Sequence, residues 1–179
     1  MHQHEIVKDV RHWLEAFVIE LKLCPFAKRE LDNEAVKFAV SDARTEQQLL
    51  ADLQQELAHL QEECEIETTL LIHPHVLQAF DDYNQFLDIV DALLDEEGLL
   101  GVYQIASFHP NYRFVDTQED DAENYSNRSP YPILHLLRES SLEREISKHQ
   151  NTSAIPARNI QLLRELGTAK LRALLQLTD

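Results

Sequence analysis

Three strand-like runs each end at a residue able to handle protons, metals or anions. Val36 to Val40 is followed by Ser41 and Asp42, Glu67 to His73 ends at His73-Pro74, and Val102 to Phe108 runs into His109-Pro110. In an open parallel sheet, ligands bind beyond the carboxyl ends of the strands. Asp42, His73 and His109 are therefore expected along one sheet edge. Two neutral imidazoles with a carboxylate can hold a divalent metal. An imidazole also titrates near operating pH and can serve as a general base. The plainer role is a histidine that ends a strand and fixes a loop carbonyl before a proline turn. No HExxH or other close-spaced ligand motif is present, so a divalent metal stays open and the cofactor is unknown.

A second group is Asn127-Arg128-Ser129-Pro130-Tyr131. Ser129 with Pro130 predicts a helix N-cap and first position. The free N–H groups of such an end favour an anion. Arg128 beside it would clamp a phosphate or carboxylate with two parallel bonds. Tyr131 would add a hydroxyl, and His135 falls one helical turn further on the same face. The alternative is plain capping, with Arg128 paired to a loop acid and His135 structural.

Cys24 precedes Pro25. At a helix start its thiol would be activated, and a Cys–His pair would supply a nucleophile. Its neighbours Leu23 and Phe26 equally suit a buried, inert thiol. Cys64 ends an amphipathic helix and is read as structural. Asp116 to Glu123 carries five acids without the spacing of an EF-hand loop, and is read as solvated.

These groups need elements to position them. Ile6, Val10, Trp13, Phe17 and Leu21 mark one face of a helix over about 4–22. A short helix from Pro25 to Leu31 follows. Thr45 and Gln48 resemble a capping box before a helix with Leu49, Leu53, Leu57 and Leu60 inward. Residues 82–97 predict another, with Phe86, Ile89, Val90, Leu93 and Leu94 inward and Gly98 just past its end. Tyr112 to Val115 is read as a short hairpin strand. Helices are expected at Ser129–Leu137, at Leu142–Lys148, and from Pro156 with Ile160, Leu163 and Leu166 inside. Thr168 to Leu177 is helical in composition and either docks or frays.

Strand–helix–strand alternation implies an α/β fold with a small three-stranded, mostly parallel sheet flanked by helices. A ferredoxin-like α+β sandwich is the alternative, if Tyr112–Val115 pairs antiparallel. Residues 1–179 are read as a single globular domain.

The composition narrows the function classes. The formal charge is −16 over 179 residues, with only three glycines. That balance disfavours nucleic acid and anionic membranes, and a Gly-rich phosphate loop has no place. Two cysteines make no disulfide framework. The N-terminal stretch lacks the apolar core of a signal peptide, and no apolar run reaches the ~18 residues of a membrane helix. A cytoplasmic location with reduced thiols is the expectation.

Five stretches together resemble a known family: LCPFA (23–27), TTLLIHP (68–74), DYNQFLD (82–88), SFHPNYRF (107–114) and NRSPYPILHLLRE (127–139). They are similar, in order, to a bacterial family known as domain of unknown function 1415. The resemblance runs from Trp13 to about Gly167 and carries no catalytic residue with it. The leading expectation is a small enzyme acting on an anionic, phosphate- or carboxylate-bearing molecule. In it His73 and His109 act as acid, base or metal ligands, Cys24 as a nucleophile, and Asp42, Arg128, Ser129, Tyr131 and His135 as binding groups. The alternative is a non-catalytic module that binds a metabolite or partner. The sequence leaves the oligomeric state open.

Overall fold

A computed structural model describes residues 2–148 and 152–175. Its order is α1 (Gln3–Trp13), a π-helical segment (Leu14–Ile19), α2 (Ala27–Asp32), β1 (Val36–Val40), α3 (Glu46–Glu62), β2 (Thr68–Ile72), α4 (Phe80–Glu96) and β3 (Tyr103–Phe108). A long loop holding a 3-10 turn (Ala122–Asn127) leads to β4 (Ile133–Arg138). Then come α5 (Glu139–Lys148), α6 (Ile155–Leu166) and α7 (Thr168–Leu175).

The fold is mixed α/β around a four-stranded sheet of order β1-β2-β4-β3. β1 and β2 are parallel, and β4 is antiparallel to both β2 and β3. The three strands expected from the sequence therefore do run in one direction. The expected three-stranded sheet is corrected by β4, which lies between two of them and runs the other way. The helix expected over Ser129–Leu137 is corrected as well: residues 133–138 form β4. Their run ILHLLR is short and apolar on both sides, which suits a central strand as well as a buried helix. The ferredoxin-like alternative also fails, since Tyr112–Val115 forms no strand and helices pack on both faces of the sheet.

Side chains alternate across the strands. Leu71, Leu134, Leu136 and Tyr103 pack on α3 and α4 through Leu49, Leu53, Phe86 and Val90. On the other face, Leu70, Ile72 and Ile133 meet α1, the π segment, α6 and α7 through Val10, Phe17, Leu163 and Leu171. The N-terminal helix keeps its expected inward residues up to Phe17. The wider π turn then brings Val18 inward and leaves Leu21 half-buried. Ile89 and Ile160, expected inside, are 43% and 37% exposed. Gly98 follows α4 with φ +68°, the left-handed conformation that a helix end takes up with least strain in glycine. Leu171 docks α7; positions 176 and 177 of that expected helix lie outside the described residues.

Candidate functional site

The strand-end histidines do come together, but inside the protein. His73 and His109 are both fully buried. Tyr83 sits between them, its ring stacked on His73 at 5.7 Å and tilted against His109 at 5.1 Å. Asn111 N–H donates to Nδ1 of His109 at 3.0 Å, so its Nε2 carries the proton and donates to Leu77 O at 3.2 Å. Both ring nitrogens are engaged. His73 Nδ1 donates to Val76 O at 3.1 Å, and its buried Nε2 has no hydrogen bond. Burial pushes His73 down to about 4, with His109 nearby adding to the effect. Burial lowers His109 as well. Both are neutral at pH 7 and hold the loop after β2 to the sheet edge.

The loop between β3 and β4 closes on itself. His109 N–H donates to Asn127 O at 3.1 Å, and Asn127 Nδ2 donates to Ser107 O at 3.0 Å. Its two ends therefore meet. The guanidinium of Arg128 turns elsewhere. It donates from Nε to Tyr112 O at 3.3 Å and from an amino group to Glu119 O at 2.6 Å. It also lies 4.4 Å over the Tyr125 ring and is 8% exposed. The expected helix end at Ser129 is absent: its hydroxyl donates to Tyr131 O at 2.6 Å and the chain continues into β4. Tyr131 O–H donates to Asp9 at 2.8 Å, and burial, then Asp9, push it up to about 12. Arg128 and Tyr131 brace the loop and offer no free anion clamp.

Asp42 is exposed and accepts from Gln3 Nε2 at 3.2 Å. It lines a shallow acidic groove with Ser41, Asp52 and Glu56. That groove does not include the histidines. Ser41 donates to Asp52 at 2.5 Å, and Glu56 pairs with Lys37 at 2.8 Å.

Two expected residues meet in a different place. Cys24 and His135 both line an interior cavity of about 280 Å³. Its floor is the sheet face carrying Val36, Thr68, Leu70, Ala106 and Phe108. Its walls come from Trp13 and Leu14, from Ala27 and Glu30 around α2, and from Ser141, Leu142 and Glu145 of α5. The exposed surface inside is almost wholly apolar. The rings run in sequence: Trp13 meets Phe108 edge-on at 5.4 Å, and Phe108 meets His135 at 6.0 Å.

Polar groups punctuate that wall. Trp13 is 4% exposed, and its buried indole N–H has no hydrogen-bond partner among the described residues. Thr68 has one hydroxyl proton, which it donates to Leu136 O at 2.6 Å. It must then accept from His135 Nε2, also at 2.6 Å, leaving Nδ1 of His135 as a lone-pair acceptor. Burial pushes His135 down to about 4. Burial also raises the Cys24 thiol, and the N–H groups of Phe26 and Ala27 offset this only in part. At pH 7 the pair is thiol and neutral imidazole.

The α5 side of the cavity is held by charge. Glu145 pairs with Arg29 at 2.5 Å and Lys148 at 2.8 Å. These partners, Lys148 first, hold its carboxyl down to about 2. Glu67 accepts from Ser141 and from Arg144. By periodicity alone Trp13, Thr68 and Phe108 are ordinary core positions. One signal was available: a threonine and a histidine facing the same way within otherwise apolar strands, with the chain's one tryptophan on a helix beside them.

Cys64 is exposed, not packed. Among the described residues, no three His, Cys, Asp or Glu side chains are grouped to hold a metal ion. Among the same residues, no helix is long and apolar enough to cross a membrane. A family model described as "Protein of unknown function (DUF1415)" matches residues 5–173. No curated protein and no solved structure matches the chain.

Proposed function

We propose that this protein, which belongs to the DUF1415 family over nearly its whole length, binds an apolar small molecule in the cavity lined by Trp13, Cys24 and His135. The observation that carries the reading is the cavity itself, an apolar space of about 280 Å³. Binding sites for small molecules have this composition: mostly apolar walls and a few polar groups. The unpartnered Trp13 N–H suits a ligand that brings one acceptor. This favours the binding-module alternative over the anion-processing enzyme, since Arg128 is committed to carbonyls and both edge histidines are buried.

The test uses the chain's one tryptophan. Titration with the neutral fluorophore phenylnaphthylamine should quench Trp13 by energy transfer at a single saturable site. Ala106→Leu, which fills the cavity from its floor, should weaken that binding tenfold or more while leaving the fold intact by circular dichroism. Unchanged affinity in Ala106→Leu would rule the cavity out as the site.

An enzymatic second reading has one observation behind it: Cys24 and His135 line the same space. The thiol would then lose its proton to Nδ1 of the imidazole and attack the acyl carbon, expelling the alcohol or thiol, which takes that proton; water would then hydrolyse the acyl-cysteine and release the acid. A panel of apolar esters and thioesters tests it. Turnover lost in Cys24→Ser but kept in Cys64→Ser supports it, and no turnover by the wild type removes it.

A further inference from the structure

We propose that the ligand is a single long hydrocarbon chain with a neutral polar end, and that it leaves the inner cavity past Cys24 into a second one. This rests on the reading that the inner cavity holds an apolar ligand. A groove of about 540 Å³ lies between α6 and the loop after β3. It shares Val18, Cys24 and Phe108 with the inner cavity. Three common wall residues make the two spaces adjoin, with Cys24 and Phe108 at the junction.

The outer groove is open and its lip is apolar. Val115 is 88% exposed, and Phe114 and Ile160 are each 37% exposed. All three line the groove. Large apolar side chains gathered at one opening mark a binding surface more than a solvated loop. Two adjoining apolar spaces select for length over width, because a compact molecule would fill the inner one alone.

Charge selects the polar end. The groove contains Glu123, which is paired with Arg164 at 2.7 Å, and the chain carries a net charge of −16. With Glu123 already matched by Arg164, no lysine or arginine among the residues lining the groove is there to pair a carboxylate or phosphate. Thr117 and Ser126 line the same opening; their protons go to Phe114 O and Glu123 O, which leaves hydroxyl lone pairs to accept from a neutral end such as an alcohol.

The experiment is displacement of phenylnaphthylamine from the full chain by hexanol, dodecanol and dodecanoate. Burying a CH₂ group is worth a factor of about four in affinity, so dodecanol should bind far more tightly than hexanol. Ile160 lines the outer groove and not the inner cavity. Ile160→Glu should weaken dodecanol tenfold or more and leave hexanol within twofold. Dodecanoate should bind more weakly than dodecanol. The proposal is overturned if dodecanol gains nothing over hexanol, if Ile160→Glu affects both alcohols alike or neither, or if dodecanoate binds best. In each case binding of hexanol leaves the inner-cavity reading standing. If neither the alcohols nor the fluorophore bind, that reading falls as well.

Discussion

Thr68 and His135 face each other across β2 and β4, with the threonine hydroxyl accepting from Nε2 of the imidazole at 2.6 Å. The same hydroxyl spends its only proton on Leu136 O. This arrangement keeps His135 neutral, fixes its tautomer, and sets it in the wall of an apolar cavity. Burial in that wall disfavours the charged imidazole.

Stability should fall with pH because of His73 and His135. Both have an ordinary value near 6.5 and are held down to about 4 by burial. The unfolded chain takes up these protons first. The stabilisation is thus fully present above about pH 6.5 and is lost as pH falls toward 4. Each histidine should cost about 2 kcal/mol between neutral pH and pH 5. Urea unfolding of the wild type and of His135→Gln at both values checks this. An identical pH dependence in the two proteins would contradict it.

Thr69 is fully buried on the opposite sheet face, and its hydroxyl has no partner. A buried hydroxyl without a hydrogen bond is a net cost. Thr69→Val keeps the shape and removes that cost, so it should raise stability by about 1 kcal/mol. A lower urea midpoint in the variant would show that the hydroxyl is satisfied in solution.

Arg138 ends β4 and caps α3. It donates to Leu60 O and Glu63 O at the close of that helix and, from Nε, to Ile66 O at 3.1 Å. A cation at a helix C-terminus also meets the negative end of its dipole. Arg138→Met keeps most of the stem and removes these bonds. It should cost about 2 kcal/mol, read as a shift in urea midpoint, whereas Arg138→Lys should recover only part of the loss. A neutral Arg138→Met would contradict the capping role.

Glu145 of α5 fastens that helix to α2 through Arg29, while Lys148 one turn along the same helix adds to its charge balance. The Glu145 carboxyl is held at about 2, so the clasp is complete above the usual carboxylate range and loosens as pH falls toward 2. Glu145→Gln should speed amide exchange in residues 139–148 and quicken entry of phenylnaphthylamine. Exchange as slow as in the wild type would mean that packing alone holds the helix.

The helices and three strands were legible because their patterns are local. Leu49, Leu53, Leu57 and Leu60 repeat at helical steps, and all four are buried. Pro74 and Pro110 mark where strands stop. β4 was not legible. Ser129-Pro130 imitates a helix start, and Leu134, Leu136 and Leu137 suit a helix on propensity alone. What makes them a strand is pairing with Thr68–Ile72 and Tyr103–Phe108, which no local pattern encodes. The same pairing decides the site. It turns His135 onto the face shared with Thr68, whereas a helix would have aligned it with Tyr131. His73 and His109 were rightly placed near one another, but their depth depends on Tyr83 packing between them, and that contact joins residues of separate elements.

The antiparallel insertion of β4 also orders the events of synthesis. β1 and β2 can pair as soon as both have left the ribosome, since they are direct neighbours. β3 emerges next and finds no partner, because its only neighbour in the sheet is β4. For roughly thirty further residues the nascent chain must carry two unjoined edges, one on β2 and one on β3. The arrival of residues 133–138 closes both at once. A chain arrested before this point would present open edges of β2 and β3 to its surroundings, the geometry that favours pairing with other chains.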